Sequence, residues 1–260
     1  MADFLNILVR DAEKTIETGY YEIESGNYAG CRLSLKDSIN RCKHAPIIAE
    51  IKPISPSYGN LRKISSSRDV AMAIERGGAV GISVLTEPKH FGGSIKYLKE
   101  ACTHTSLPVL MKDIIIDPVQ IEAASKSGAD AVLLISSIFE RGYVNGSAEE
   151  MIKLSHSKGL EVLLETHTKD EFLSALETDA DLVGINNRNL KTLKVDLKVT
   201  QKILSGISQC EKIVASESGI QKPEDIRFLY ACGAKAFLVG SAIMLAENVE
   251  EKVKELVLAL

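Results

Sequence analysis

The chain has 260 residues, of which 45% are hydrophobic and 25% are charged, and its formal net charge at pH 7 is −4. This length can bury a sizeable core as one large domain or two small ones, and the composition is that of an ordinary globular protein. The negative charge argues against a general binder of nucleic acid or anionic membranes. It does not exclude a local basic pocket for an anionic metabolite.

Cysteine usage and hydropathy indicate the compartment. The cysteines are scattered and form no CxxC pair, so we expect reduced thiols rather than a disulfide framework. They are Cys31, Cys42, Cys102, Cys210 and Cys232. No apolar stretch approaches the ~20 residues that a membrane span requires, and the N-terminus mixes charges in a way unlike a signal peptide. We therefore predict a cytoplasmic protein that does not bind a membrane.

Two amphipathic helices are predicted ahead of the first strand. The segments from Phe4 to about Thr18 and from Leu33 to about Lys43 have the apolar spacing of helices that bury one face. No Pro/Gly-rich linker separates them from the first strand. We predict one domain, residues 1–260, in which residues 1–46 form a helical extension on residues 47–260 and close over the site.

The first predicted strand carries two charges. Ile47–Lys52 is short, apolar and rich in β-branched residues, and Pro53 ends it. Glu50 and Lys52 are two residues apart, so their side chains point to the same face. Burying them is costly unless they face each other, a ligand or a water-filled mouth. We interpret them as the floor of a site; a structural ion pair is the alternative.

Seven more apolar runs occur at βα-unit spacing, with helical patterns between almost every pair. They are Ala79–Glu87, Pro108–Asp113, Ala131–Ser136, Glu161–Thr166, Leu182–Asn187, Lys212–Ser218 and Ala236–Met244. Eight strands alternating with helices predict an α/β fold of the (β/α)8 TIM barrel type. An open, doubly wound sheet is the alternative, but no GxGxxG motif comes after the first strand, so a dinucleotide-binding version has little support.

A repeated Gly-Ala dipeptide marks the ends of three predicted helices. Three predicted helices exit through Gly-Ala before the next strand, at Gly78, Gly128 and Gly233. A shared exit is what a repeated βα unit produces. Asp117 followed by Pro118 predicts a helix start, because aspartate is a good N-cap and proline suits the first turn.

Polar residues end most of the predicted strands. In a barrel the active site lies at the C-terminal ends of the strands. Side chains two residues apart on a strand share a face, as Leu110 and Lys112 do, so each charged residue can point inward with the apolar residue two positions before it. The strand-end residues are Glu50, Lys52, Lys112, Glu165, Asn186, Arg188 and Glu217. Two lysines among three glutamates form a set whose pKa values can be pushed apart, as general acid–base chemistry requires.

The last two predicted strands end in small residues. Ser218-Gly219 and Gly240-Ser241 allow backbone N–H groups to approach an anion closely. The helix after Gly240 would add its N-terminal dipole, and loops seven and eight of barrels commonly hold phosphate. The sequence therefore predicts a phosphate site there.

Other chemistries find little support. The five histidines form no HxH or HExxH spacing, so we predict no metal, and no G-x-S-x-G elbow is present. His167 comes after the fifth strand, where the start of a helix is its expected use. A Schiff-base role for Lys112 or Lys52 is not excluded.

Ordered sequence blocks carry a family resemblance. From about Leu33 onward the chain resembles the indole-3-glycerol phosphate synthase family, in IIAEIKPISPS (47–57), ISVLTEPKHFGGS (82–94), PVLMKDIIID (108–117), ADAVLLI (129–135), LLET (163–166), VGINNRNLKTL (183–193), VASESGI (214–220) and FLVGSAIM (237–244). The resemblance implies the ring closure of 1-(2-carboxyphenylamino)-1-deoxyribulose 5-phosphate with loss of carbon dioxide and water. It also implies a small phosphorylated substrate and no cofactor.

The resemblance also implies residue roles. Lys112 would be the general acid that protonates the ribulose carbonyl, and it is favoured over Lys52 for this first protonation. Glu165 would support the later proton removal and dehydration, and Glu50 with Lys52 would share in proton transfer. The other matches are Asn186, Arg188, Glu217 and Ser218 for orienting the substrate, Ser55 for its carboxylate, Phe91 for its ring, and Gly219, Gly240 and Ser241 for its phosphate.

One position departs from the family pattern. Ile114 stands where the family usually has phenylalanine, and this replacement removes a ring–ring contact of up to ~1 kcal/mol.

Two rival functions stay open. One is another phosphate-binding barrel isomerase, expected to use Cys/Asp or Asp/Asp pairs, and the other is a catalytically silent barrel that serves as a binding partner. The sequence does not specify protein partners.

Overall fold

The computed structural model describes residues 3–23, 32–144, 146–207 and 210–260, so Cys31 lies outside the described residues. Its eight main strands are β1 (Ile47–Ile51), β2 (Gly81–Leu85), β3 (Val109–Lys112), β4 (Ala131–Ile135), β5 (Glu161–Thr166), β6 (Leu182–Asn186), β7 (Ile213–Glu217) and β8 (Ala236–Val239). They are all parallel and close into a barrel in which β8 and β2 both pair with β1. The fold is therefore the predicted (β/α)8 TIM barrel, and the open sheet is ruled out.

Helices precede, link and succeed these strands. They are α1 (Phe4–Glu17), α2 (Leu35–Arg41), α3 (Ser67–Arg76), α4 (Ile95–His104), α5 (Pro118–Ser127), α6 (Ser136–Glu140), α7 (Ala148–Ser157), α8 (Lys169–Leu176), α9 (Lys198–Leu204), α10 (Pro223–Ala231), α11 (Ser241–Leu245) and α12 (Val249–Val257). None of the described helices is long and apolar enough to cross a membrane.

The sequence located every barrel strand but missed one short element. The last apolar run, Ala236–Met244, divides where small residues were expected to end the strand: β8 ends at Val239, and α11 begins at Ser241. A small hairpin of Ile54–Ser55 with Gly59–Asn60, after β1, was not predicted.

The predicted helix punctuation is confirmed. Gly78, Gly128 and Gly233 all have positive φ angles, of 88°, 90° and 111°, a left-handed conformation that glycine adopts without a Cβ clash. The carboxylate of Asp117 accepts a hydrogen bond from Val119 N at 2.8 Å, and Pro118 opens α5.

Strand parity divides the core into two clusters. One cluster lies between the barrel and its helices and contains outward-facing residues such as Met111 and Leu164. The other fills the barrel interior and contains Leu110, Leu163 and Ala215. Because Lys112, Glu165 and Glu217 each lie two residues beyond one of these, they also point inward, as parity predicts.

The N-terminal helices pack at opposite ends of the barrel. Residues of α1 and its N-cap bond to loops at the C-terminal ends of the strands: Asp3 pairs with Arg141 at 2.6 Å and Asp11 with His90 at 3.0 Å. In contrast, α2 packs at the other end, where Ser38 Oγ donates to Val80 O at 2.6 Å. Thus α1 lies at the mouth and α2 at the base.

Glu161 anchors the start of α2 to the base. Its carboxylate accepts hydrogen bonds from Ser34 Oγ at 2.5 Å and from the backbone N–H groups of Leu35 and Lys36 at 2.8 and 3.0 Å. These N–H groups lie in the first turn, where a helix has no internal acceptor for them. A side chain of β5 therefore supplements the N-cap of α2.

We predict that Glu161→Ala lowers the free energy of unfolding by about 2 kcal/mol, because it removes charge-assisted hydrogen bonds to three donors. Urea denaturation would measure this. The exposed Glu211→Ala is the matched control and should change stability by less than about 0.5 kcal/mol. Equal losses in the two variants would contradict the anchoring role of Glu161.

Candidate active site

Four inward-pointing ionisable side chains form one layer at the top of the barrel interior. Glu50, Lys112, Glu165 and Glu217 come from β1, β3, β5 and β7. Alternate strands of a (β/α)8 barrel supply the four side chains of each interior layer, which explains why these residues meet. We call this set the ionic layer. Its three glutamates are at most 3% exposed.

Lys112 lies among the three carboxylates of the ionic layer. Its Nζ is 2.7 Å from Glu217 Oε2, 3.3 Å from Glu165 Oε2 and 3.9 Å from Glu50 Oε2. Removing one partner of such a buried set typically costs about 3–5 kcal/mol, because a buried charge is left uncompensated. The layer is therefore held together through Lys112.

Glu50 also pairs with Lys52, as the sequence suggested. Lys52 Nζ is 2.6 Å from Glu50 Oε1, and the lysine side chain is 14% exposed. A Cβ atom at Gly240 would overlap Glu50 Oε1 and lie 3.0 Å from Lys52 Nζ. Gly240 thus has a role that the sequence did not suggest: its missing side chain gives this ion pair room.

A second glycine makes room for Glu217. A Cβ atom at Gly184 of β6 would overlap Glu217 Oε1. The same Oε1 atom is buried and has no hydrogen-bond partner among the described residues. A buried carboxylate oxygen without a donor is costly in its ionised form.

The pKa values within the layer diverge. Burial lowers the pKa of Lys112, but the attraction of Glu217, Glu165 and Glu50 outweighs burial and leaves that pKa above its ordinary value. The physical reason is that carboxyl groups from three other strands meet around this ammonium.

One carboxyl of the layer takes the opposite shift from the other two. Burial raises the pKa of Glu217 to about 8, opposed by Lys112 and assisted by the like charge of Glu165. The pKa values of Glu50 and Glu165 are lowered, because their neighbouring cations outweigh burial. The layer therefore contains one carboxyl whose pKa is raised and two whose pKa values are lowered.

Asn186 and Arg188 lie on the rim beside this layer. The Arg188 backbone N–H donates to Asn186 Oδ1 at 3.0 Å, and the guanidinium donates to Leu193 O at 3.2 Å and to Ser57 Oγ. Ser55 is buried in the hairpin after β1. The guanidinium therefore contacts the turn of this hairpin at the mouth of the barrel.

The small residues after β7 and β8 also line the mouth. Ser218 has a φ of +66°, which is rare outside glycine, and Gly219 comes next with +89°. Gly240 and Ser241 stand at the end of the neighbouring strand. The helix after Gly240, α11, spans only five residues, so its dipole contributes less to anion binding than the sequence suggested. Backbone N–H groups and the Ser241 hydroxyl are the donors available to an anion.

An apolar wall stands opposite the charges. Its members lie on α1, on strand ends and on the loops after them, and they are Phe4, Leu8, Leu85, Phe91, Ile114, Leu133, Ile135 and Leu190. Ile114 keeps the wall apolar where the family usually has phenylalanine. A flat aromatic ring fits against such a surface.

These groups converge on one pocket of about 630 Å³, large enough for a small metabolite. The lining includes every residue that the sequence proposed for the site except Glu217: Glu50, Lys52, Ser55, Phe91, Lys112, Glu165, Asn186, Arg188, Ser218, Gly219, Gly240 and Ser241. Glu217 lies behind this surface and reaches it through Lys112.

Three further ionisable residues lie near the pocket: Glu87 and Asp113, which were not predicted as site residues, and His167, which was expected only to start a helix. Glu87 lies just after β2 and accepts hydrogen bonds from three successive backbone N–H groups, including Phe91 N at 3.0 Å. Burial raises the pKa of Asp113 to about 6, and Tyr21 donates to this carboxyl at 2.9 Å. His167 packs behind Glu165. Each stands at a strand end, a signal that was available.

The fold and the pocket define a (β/α)8-barrel enzyme. The family model described as indole-3-glycerol phosphate synthase matches residues 8–256. The indole-3-glycerol phosphate synthase of Methanocaldococcus jannaschii is 43% identical over 231 residues, 87% of this chain and 84% of that protein. The one from Caldanaerobacter subterraneus subsp. tengcongensis is 38% identical over 257 residues, 99% of this chain and 97% of that protein.

The chain belongs to the indole-3-glycerol phosphate synthase family. It is a carboxy-lyase of tryptophan biosynthesis and acts on a small phosphorylated substrate. This membership decides against the isomerase and the silent barrel considered above.

Solved structures of lower identity agree on the fold. Thiamine phosphate pyrophosphorylase from Pyrococcus furiosus aligns with a TM-score of 0.61 at 17% identity, over 86% of this chain and 96% of that one. N-acetylmannosamine-6-phosphate 2-epimerase from Clostridium perfringens aligns with a TM-score of 0.61 at 16% identity, over 84% and 93%. At such identities the likeness shows the barrel alone.

The raised pKa of Glu217 makes stability depend on pH. Between the ordinary carboxyl value of 4.5 and about 8, the folded protein holds a proton at Glu217 that the unfolded chain releases. The free energy of unfolding should therefore fall as pH rises through this window, by up to about 1.4 kcal/mol per pH unit from this group.

We predict that Glu217→Gln, a neutral isostere, reduces that fall. Denaturant unfolding at pH 5, 6.5 and 8 would measure it, with Glu211→Gln as the exposed control. Parallel stability profiles for wild type and Glu217→Gln would show that Glu217 titrates normally in the folded protein.

Proposed function

We propose that the ionic layer and the adjacent Lys52 carry out the ring closure of 1-(2-carboxyphenylamino)-1-deoxyribulose 5-phosphate. The observation that carries this proposal is the position of Lys112: its ammonium group lies on the pocket lining, held by carboxylates of three other strands. A fixed cation that faces the pocket stabilises negative charge that develops on a carbonyl oxygen.

In the first stage the ring carbon that bears the carboxylate attacks the ribulose carbonyl carbon. A carbon–carbon bond forms, and the carbonyl oxygen takes a proton from Lys112. The carboxylate then leaves as carbon dioxide, and the electrons of its bond return to the ring and restore aromaticity. The oxyanion that develops on the substrate is a stronger base than the surrounding carboxylates, so it can take the proton from the ammonium of Lys112.

In the second stage the new hydroxyl group leaves as water. A proton departs from the carbon next to the ring nitrogen, and the carbon–carbon double bond of the indole forms. We assign the removal of this proton to Glu165, whose lowered pKa keeps it ionised. The Glu50–Lys52 pair is the second lysine–carboxylate unit of the pocket, and we propose that it supplies the proton that the leaving hydroxyl requires.

The remaining lining residues divide into three proposed groups. The backbone N–H groups of Gly219 and Gly240 and the Ser241 hydroxyl would hold the phosphate. Arg188, Asn186, Ser218 and Ser55 would orient the substrate, with Ser55 near its carboxylate. Phe91, Ile114 and their apolar neighbours would hold the aromatic ring. Glu217 would act indirectly, through Lys112.

We also propose that residues 1–260 work as one domain in the cytoplasm. In support, α1 supplies Phe4 and Leu8 to the pocket lining, so the extension and the barrel share a site. The described cysteines are free thiols, which suits a reducing compartment.

We predict that Lys112→Met lowers kcat at least about 10³-fold, because the carbonyl loses its proton donor. Indole fluorescence, with EDTA present, would measure turnover. Lys112→Arg is the companion variant: it retains the positive charge, yet its pKa is too high for ready proton donation. We expect it to fold normally and to be similarly slow.

Lys52→Met separates the two lysines. If Lys112→Met and Lys112→Arg both kept near-wild-type kcat while Lys52→Met lost it, Lys52 would be the first acid. No turnover by any form, including wild type, would contradict the proposed reaction itself.

The phosphate assignment has its own test. Ser241→Asp should weaken the binding of a phosphorylated product analogue at least about 100-fold, since it sets a like charge against the phosphate and removes a donor. Isothermal titration would measure the dissociation constant. Ser205→Asp, on the exposed end of α9, is the matched control. Equal affinities would put the phosphate elsewhere.

A further inference from the structure

His167 lies behind the pocket, one residue beyond the end of β5. Its side chain is only 11% exposed and does not contribute to the pocket lining. Nε2 is 3.4 Å from Glu165 Oε1, and Nδ1 is 3.7 Å from Glu171 Oε2. Neither ring nitrogen has a hydrogen-bond partner within the described part of the chain.

The chemistry of imidazole limits which form fits this position. A neutral ring carries one N–H and one lone pair, so it would aim a lone pair at one of two carboxylates. The doubly protonated ring instead places a positive charge beside both Glu165 and Glu171. This charge offsets the burial of two anions. The geometry therefore selects the imidazolium form.

We propose that His167 is a positioning residue for the reaction: its imidazolium, held between two carboxylates, fixes the charge and the orientation of Glu165. The inference rests on the proton-removing role proposed for Glu165. Each oxygen of that carboxylate then faces one cation, Oε2 facing Lys112 at 3.3 Å and Oε1 facing His167. The lysine belongs to the reacting surface, whereas the histidine is shielded from the substrate.

The far side of the ring is anchored. Glu171 in the first turn of α8 accepts hydrogen bonds from Ser137 Oγ at 2.8 Å and from the His167 backbone N–H at 2.6 Å. Its own N–H donates to Thr168 Oγ1 at 3.1 Å. The start of α8 therefore sets the position of the ring, and the ring in turn meets Glu165.

The charged groups around the ring agree with this assignment. Glu165, Glu171 and Glu217 face it from β5, α8 and β7. Burial lowers the pKa of His167, but the contact with Glu171 and the charges of Glu165 and Glu217 outweigh burial and raise it above 6.5. Glu140 on α6 adds a further negative charge beyond Glu171. The positive charge of His167 in turn helps to lower the pKa of Glu165.

The consequence for catalysis is a shift of the acidic limb of the pH profile. Glu165 must be ionised to accept a proton, and a neutral neighbour at position 167 would raise its pKa. Activity at low pH should then fall, while substrate affinity changes little, because His167 does not line the pocket.

The experiment is the pH profile of kcat for wild type, His167→Gln and His156→Gln. Gln replaces the ring with a neutral amide that still offers an N–H. We expect the acidic limb of His167→Gln to move up by about one pH unit, which is about a tenfold loss of kcat on that limb, with KM within about twofold. His156 Nε2 lies 2.9 Å from Asp181 on the surface, so His156→Gln removes a similar pair and should match wild type.

Glu165→Gln, measured alongside, distinguishes a failure of the role proposed for Glu165 from a failure of the role proposed for His167. If Glu165→Gln keeps wild-type kcat, the role proposed for Glu165 fails. If Glu165→Gln is inactive but His167→Gln has the wild-type profile, only the role of His167 fails. A loss of kcat by the same factor at every pH would also overturn it, since a purely structural defect does not move a titration.

A second measurement keeps the proposal testable if His167→Gln does not fold. The ¹⁵N shifts of the imidazole nitrogens in the wild-type protein report whether both carry protons. We expect both nitrogens of His167 to be protonated at pH 7. A ring that is neutral at pH 7 would overturn the proposal.

Discussion

The ammonium group of Lys112 lies 2.7 to 3.9 Å from carboxylates on three other strands, and this set is the constraint on which the pocket depends. Most interior layers of such barrels are filled by branched apolar side chains. Here one layer is ionic, and its desolvation cost is offset only while the charges stay in contact. The glycines that make room for Glu217 and Glu50, and the apolar layer beneath, all serve to keep that geometry.

The same constraint links structure to reactivity. Because three carboxylates surround one buried lysine, the pKa values separate: Glu217 rises to about 8, whereas Glu50 and Glu165 are lowered. The three carboxyl groups of one layer thus differ in how readily they hold a proton. The same carboxyl groups stabilise the ammonium of Lys112, so the proposed proton transfer depends on the basic oxyanion that develops on the substrate carbonyl.

Much of the fold, and the inward direction of the site residues, could be predicted from the order of residues in the chain. Apolar runs at βα spacing gave the eight strands, and strand parity gave the inward direction of Lys112 and Glu165, because both depend on local backbone geometry. Helix exits at glycine were equally local. The hairpin after β1 was missed, since strands of two residues are too short to show a periodic pattern.

The order of residues is enough to place charged and small residue types at the strand ends and to give the face that each one uses. Which of these side chains touch depends on how the strands pack in three dimensions. Closure of the barrel brings β1, β3, β5 and β7 around one axis, and that closure raises the pKa of Lys112 above its ordinary value. It also places His167 against two carboxylates and Gly240 against an ion pair. Distances between strands far apart in the chain depend on packing, and electrostatic energies depend on those distances.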